Sequence, residues 1–419
     1  MQRKLDLRAG RPVWFAYRAP SVPAGKLTHD IKTDVLVIGM GISGAMIAEA
    51  LTAAGLDVVC IDRRGPLKGS TPATTALVQF EIDVPLTRLA NMIGLADAER
   101  AWRRSRLAVS NLAGRIAELG ISCDVRHTGS LYLAGNALGA GELREEAEAR
   151  GRAGIRGTYL TASQLRDTFG MERDGAIRSG ENLSLDPRKL TAGLFARALE
   201  RKARFYAPVE ATGMEDGRDE VVVHTSRGPT ITAAHVVLAT GYELMNMVPS
   251  STHSIISTFA IATRPQKAAI WPGAPFIWEA SDPYLYARAT PDGRVICGGE
   301  DEDFSDEARR NDLLPAKAAR IAAKLKALFP RLDTTPEFAW TGSFGTTTTG
   351  LPYMGAITGH PRVFAALGYG GNGITFSQIA SELISTAIAG DKDTDASLFA
   401  FGRTGPVRKI ADLAGRLIG

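Results

Sequence analysis

The sequence predicts a mixed α/β fold. Three observations carry that expectation: two short apolar runs flanking a glycine turn and an alanine-rich stretch between residues 34 and 61, further strand-like runs after residue 200, and apolar residues at helical spacing between them. At 419 residues, and about 150 residues per domain, the chain has room for two or three domains. Its 45% hydrophobic and 22% charged residues supply a sizeable core, which excludes a disordered or fibrous protein.

The elements follow in order. Asp34-Val35-Leu36-Val37-Ile38 reads as a strand buried on both faces, as in a parallel sheet. Gly39-Met40-Gly41-Ile42-Ser43-Gly44 forms the turn, and the small residues running to Gly55 suit a tightly packed helix. Val58-Val59-Cys60-Ile61 is the second strand, with Asp62 at its end. Residues 69–76 are small and polar, the composition of a loop. Between residues 98 and 120, Trp102, Val109, Leu112, Ile116 and Leu119 fall on one face of a helix while arginines face water. Asp186 is the expected N-cap of another helix, with Pro187 in its first turn and Leu190, Leu194 and Ala198 on its inner face. Residues 221–224, 236–239, 258–263 and 294–298 read as strands, and a last helix follows Gly373 through Ile379, Leu383 and Ile384.

Composition narrows the function. The net charge of +4 is spread along the chain, so nucleic acid is not the expected partner. Cys60, Cys123 and Cys297 show no metal-type spacing and cannot pair completely; a disulfide scaffold is excluded, no metal site is expected, and a reducing cytoplasm is the natural compartment. Neither a secretory signal nor a run of ~20 apolar residues is present, so the expectation is a soluble cytoplasmic protein.

The glycine turn carries chemistry because of its context. It follows a strand and opens a helix, and Asp62 ends the next strand at about the ~20-residue spacing of a ribose-binding carboxylate. Gly39 permits the tight turn, Gly41 lets a pyrophosphate approach the backbone, and Gly44 lets the helix pack on the strand. The helix start at Ile42 and Ser43 offers N–H groups and a positive dipole end to phosphate. A dinucleotide site follows. Arg63 can meet a 2′-phosphate, or be a surface or adenine-flanking residue.

With these blocks in order, the chain resembles the D-amino-acid-oxidase family of FAD-dependent oxidoreductases, in its glycine oxidase, sarcosine oxidase and γ-glutamylputrescine oxidase branch. The resemblance runs from about Trp14 to Arg403. It implies that the loop bearing Ser70, Thr71, Thr74, Thr75 and Ala76 wraps the pyrophosphate and flavin, and that residues 205–209 form a strand whose Val209 meets the adenine. The block ending in Thr240 and Gly241 then lies near the pyrophosphate. Trp340-Thr341-Gly342 and residues 350–355 resemble a family block, and Gly368-Tyr369-Gly370-Gly371-Asn372-Gly373-Ile374 resembles the closing segment that faces the flavin pyrimidine. Gly342, Gly371, Asn372, Gly373 and Ile374 are thereby implied cofactor contacts.

Two departures stand out. Phe344 occupies the position where amino-acid-oxidising members carry a carboxylate-clamping arginine, and Thr349 replaces an aspartate. An amine substrate, or an acid held by Arg264 or Arg288, fits this pattern better than a simple amino-acid oxidase. No cysteine lies between residues 343 and 349, where sarcosine oxidases attach flavin, so non-covalent FAD is expected.

The resemblance implies an enzyme that transfers hydride from the C–H beside nitrogen, in an amine or amino acid, to flavin N5, with hydrolysis of the imine. Its alternatives are a 2-hydroxy-acid or alcohol dehydrogenase on the same fold, or the flavin subunit of a larger complex. The pocket candidates are Tyr284 and Tyr286 as an aromatic wall, Phe344 and Tyr369 as a box around the amine, and His253. Each has a plainer role in packing or at the surface. Gln79 and Glu81, on one strand face, either bind a cationic amine or stay solvated. The expected architecture is a Rossmann-type FAD-binding domain over residues 30–85, 176–250 and 340–400. A discontinuous substrate domain on an antiparallel sheet takes 86–175 and 251–339. Residues 1–29, with Trp14, Phe15 and Tyr17, form an arm over the surface or a partner, and 401–419 a tail. The partners left open are a second copy of the chain and an electron acceptor.

Overall fold

Strand Ile31–Ile38 is continuously buried from Val35 onward because sheet neighbours and helices cover both of its faces. In the computed structural model, which describes residues 4–249 and 253–403, it pairs in parallel with Val58–Ile61 and with Thr230–Leu238. The parallel order continues to Arg204–Tyr206 on one side and to His360–Leu367 on the other. Helix Ile42–Ala53 packs on this sheet between Pro187–Glu200 and Gly373–Ile388. Antiparallel strands Tyr353–Ile357, Val221–Thr225 and Ala211–Asp216 complete an eight-stranded sheet.

The second sheet has ten strands and a mainly antiparallel ladder. Its centre runs Pro336–Thr347, His253–Thr263, Val295–Glu302, Leu285–Ala289, Phe276–Glu279, and then, through one parallel junction, Arg126–Leu133 and Gly175–Ser184. Helix Glu307–Leu328 covers one face, burying Ile321, Leu325 and Leu328 with Phe259, Ile261 and Cys297. The mixed α/β class, the amphipathic helix (Leu95–Glu118) and the helix capped by Asp186 agree with expectation. Asp186 Oδ1 accepts from the N–H groups of Arg188 and Lys189 at 2.8 and 3.1 Å.

Several expectations shift. The expected arm lies against this chain's own sheet and core: Arg8–Gly10 adds an antiparallel strand to the edge formed by Trp340–Gly342, and Val13 and Trp14 are buried in the core. Backbone pairing needs no apolar signature, so a three-residue edge strand leaves no trace in the sequence pattern. Strands Gly175–Ser184 and Pro336–Thr347 hydrogen-bond within the ten-stranded sheet, although the expected nucleotide domain takes in residues from 176 and from 340. The strand expected over 205–209 is Arg204–Tyr206 and stops before Pro208, which has no N–H to donate. From residue 404 the expected tail lies outside the described residues.

One buried ion pair ties helices together. Glu146 and Arg150, one turn apart on Ala140–Arg152, have side chains 0% and 1% exposed. Glu146 accepts from Leu86 N, Thr87 N and Thr87 Oγ1 at 2.8, 2.9 and 2.7 Å, so it closes the start of helix Leu86–Ile93. Arg150 lies over the rings of Trp102 and Tyr132, 4.5 and 5.6 Å from their centroids.

Candidate functional site

The site grows from the glycine turn. Gly39 has φ +118°, and a Cβ there would stand 2.3 Å from the carbonyl oxygen of Ala239. At Gly44 a Cβ would meet the carbonyl oxygen of Gly39 at 2.0 Å, so helix Ile42–Ala53 packs on its own turn as closely as backbone allows. No side chain of the N-cap residue Gly41 closes the helix. Thr71 Oγ1 accepts from Ile42 N–H at 3.0 Å and ties the small polar loop to the helix start.

From this turn runs a cavity of about 500 Å³. It collects Gly39, Gly41, Ile42, Ser43, Asp62, Arg63, Ser70, Thr71, Thr74, Thr75, Val209, Thr240, Gly241, Gly342, Gly371, Asn372, Gly373 and Ile374 along one wall or another. Gly44 and Ala76 do not line it: Gly44 lies beneath the turn, and Ala76 turns its carbonyl to Arg288. The cradle suits a dinucleotide, since the places a Cβ would fill lie between the turn and the strand end at Ala239.

Asp62 and its neighbours are already engaged. The Asp62 carboxylate accepts from Met40 N, Arg64 N and Gly65 N at 2.8, 2.6 and 2.8 Å. Arg63 pairs with Glu210 and Glu243, and Arg64 forks onto Glu243, so neither guanidinium is left without a carboxylate. That arrangement disfavours Arg63 as a 2′-phosphate ligand, because a phosphate would have to displace an acidic partner. The N–H of Val209 is held by the Asp62 carbonyl at 2.9 Å.

The other end of the cavity is aromatic and acidic. Tyr284 and Tyr286 stack with centroids 5.8 Å apart, beside Trp278, Phe344 and Tyr369. Tyr284 Oη donates to Asp301 Oδ2 at 2.6 Å. Burial, with Asp83 nearby, pushes the Asp301 carboxyl up to about 6 despite the hydrogen bonds of Tyr284 and Thr258. Gln79, Glu81 and Asp83 line the same end.

His253 does not join them. It lies on His253–Thr263 against Gly345 and Gly368 and does not line the cavity, and burial lowers its pKa. Arg264 is exposed and Arg288 is buried under Trp14, donating to the carbonyls of Ala76 and Leu185, so neither reaches the cavity as a carboxylate clamp. Asp83, Trp278 and Asp301 escaped the sequence reading. A signal for the wall was present: Tyr286 pairs with Gly298, where a Cβ would lie 2.3 Å from the tyrosine oxygen, and a glycine opposite a tyrosine marks where a ring lies across the strand. Among the described residues no cluster of potential metal ligands occurs, and no helix is long and apolar enough to cross a membrane.

Comparison with known proteins agrees with this geometry. The chain is 24% identical to the probable oxidoreductase OrdL of Haemophilus influenzae, across 97% of this chain and 95% of that one. It is also 24% identical to the γ-glutamylputrescine oxidoreductase of Escherichia coli, across 88% and 87% of the two chains. In fold it is similar to glycine oxidase from Geobacillus kaustophilus, with a TM-score of 0.73, 19% identity, and coverage of 90% of this chain and 100% of that one. The family model for FAD-dependent oxidoreductases of the DAO type matches residues 34–387, and the chain belongs to that family.

Proposed function

We propose that this protein oxidises the C–N bond of an amine or amino acid, using FAD held without a covalent bond. The observation that carries the reading is one continuous cavity, with the glycine cradle at one end and the Tyr284–Tyr286 wall at the other. Bound in that cradle, FAD supplies a two-electron hydride acceptor. The chain's own part is to orient the substrate between aromatic faces and to keep bulk water from the reacting carbon. Non-covalent binding is supported by the cysteines: Cys60, Cys123 and Cys297 are buried and none lines the cavity. Buried free thiols also fit a cytoplasmic setting. Anaerobic titration of the FAD-loaded protein with amines, amino acids and 2-hydroxy acids tests the reaction. Bleaching of the flavin band by the nitrogen compounds is expected, and bleaching by hydroxy acids alone would overturn it.

Asp62 is the proposed ribose ligand. Asp62→Ala is expected to weaken FAD binding by ~1.5–3 kcal/mol through lost bonds to a charged group. It should also lower Tm, because three backbone N–H groups lose their acceptor. Titration of apoprotein with FAD checks the first effect and thermal melting the second; unchanged FAD affinity removes Asp62 from the ribose.

Asp301 gives the site a pH dependence. As a carboxylate it accepts from Tyr284 and adds negative charge behind the wall, so kcat/KM for amines should rise with pH through about 6. Stability runs the other way. A carboxyl raised from 3.8 to about 6 by folding gives its full contribution below 3.8 and loses it as pH rises through 6. In Asp301→Asn the limb near 6 should disappear from the pH profile. Its persistence would assign that ionisation to another group.

A further inference from the structure

Residues 79–83 follow the cofactor loop, and their side chains divide cleanly. Phe80 and Ile82 enter the core, 1% and 0% exposed, while Gln79, Glu81 and Asp83 line the cavity. The segment is firmly held. Asn372 Nδ2 donates to the carbonyls of Gln79 and Glu81 at 3.2 and 2.7 Å, Thr375 Oγ1 donates to Gln79 O at 2.6 Å, and Ser105 Oγ donates to Phe80 O at 2.7 Å. Its carboxylates are therefore placed by the start of helix Gly373–Ile388 and not by a mobile loop.

Glu81 is 2% exposed, yet only one of its oxygens is satisfied. Oε1 accepts from Ser130 Oγ and, at 3.4 Å, from Asn182 Nδ2; Oε2 is buried without a partner. Asp83, exposed toward the cavity, accepts from Gly371 N–H through Oδ2 at 2.7 Å. A buried carboxylate oxygen with no donor is costly, and a cation in the adjoining space removes the cost. Among the described residues lining the cavity, the arginines and lysines are Arg63 and Arg64, and both are paired with carboxylates at the opposite end. Tyr284, Tyr286 and Trp278 stand on the same stretch of cavity, and aromatic faces attract an alkylammonium group.

We infer that Glu81, with Asp83 beside it, is the binding site for an organic ammonium group, and that the substrate is a cationic alkylamine lacking an α-carboxylate. The inference rests on the C–N reading above and narrows it. An amino acid would bring its carboxylate into the same acidic end of the cavity, where no cation compensates it.

The test separates binding from turnover. FAD-loaded protein is titrated anaerobically with butylamine, 1,4-diaminobutane and 2-aminopentanoate, following both the perturbation of the flavin spectrum and its reduction. The amines should bind at least roughly tenfold more tightly than the amino acid, equivalent to about 1.4 kcal/mol. Glu81→Gln should weaken amine binding by roughly tenfold or more, and Asp83→Asn should weaken it less. Amino-acid binding as tight as amine binding, failure of both amines to perturb the spectrum, or unchanged amine affinity in both variants would overturn the proposal. If Glu81→Gln does not retain FAD, the ligand comparison in the parent protein and the Asp83→Asn titration decide. Amines that bind through Glu81 but never reduce the flavin would refute the C–N reading while leaving the ammonium site standing.

Discussion

Gly44→Ala should yield a protein that purifies without flavin. The added Cβ would lie 2.0 Å from the Gly39 carbonyl oxygen and 3.0 Å from its carbon, and both atoms are backbone. Gly39 cannot retreat, because its own Cα position faces the Ala239 carbonyl at φ +118°. The helix must therefore slide off the turn, carrying Ile42 and Ser43 away from the cavity. Overpacking a core costs ~1–3 kcal/mol, and a clash with fixed backbone belongs at the top of that range. Affinity for FAD should fall by more than ~100-fold, about 2.7 kcal/mol. Gly41→Ala is the control. There the nearest atom to the new Cβ is Thr71 Oγ1 at 3.2 Å, so the fold should survive even where phosphate approach is hindered. Flavin titration and thermal melting of the two variants check the contrast; equal behaviour would mean that the turn and helix are not in the contact described.

The second large effect is on stability. Glu146→Ala should cost about 3–5 kcal/mol, because it leaves the buried Arg150 guanidinium uncompensated and strips three donors at residues 86 and 87 of their acceptor. Burial alone would raise the Glu146 pKa, but Arg150 and the donors of Thr87 hold it below its ordinary 4.5. A lowered carboxyl contributes its full stability above 4.5 and loses it as pH falls below that value. Melting the parent and the variant at pH 7 and in the acid range should show the gap between them narrowing as pH falls. A shift of under about 1 kcal/mol at pH 7 would place this pair among ordinary surface ion pairs.

The nucleotide-binding unit was legible because its signals are local. Strand, turn, helix and Asp62 lie within one stretch of chain, and Gly39 and Gly44 are demanded by contacts inside that stretch or at the adjoining strand end. Glu146 and Arg150 were not legible, since an acid and a base one turn apart look like a solvated helix face. Asp301 is reached by Tyr284 only through the strand register that sets Leu285 against Gly299. Alternation at residues 79–83 was visible, but its direction was not: whether Glu81 faces water or a cavity depends on Asn372, far along the chain. His253 illustrates the converse, a residue type with chemical promise whose strand takes it elsewhere.

The clamp made by the N-terminal segment has a consequence for biosynthesis. Arg8–Gly10 completes the edge of Pro336–Thr347, and Trp14 Nε1 donates to Thr74 O within the small polar loop at 2.6 Å. Residues 8–10 thus wait for a strand that lies much further along the chain. Pairing so distant in sequence is slow to form, and until it forms an exposed sheet edge and the tryptophan remain open to wrong partners. The loop over residues 69–76 has a late contact of its own, Trp340 Nε1 donating to Ala73 O at 2.8 Å, so a nascent fragment holding the complete glycine fingerprint would still lack that bond.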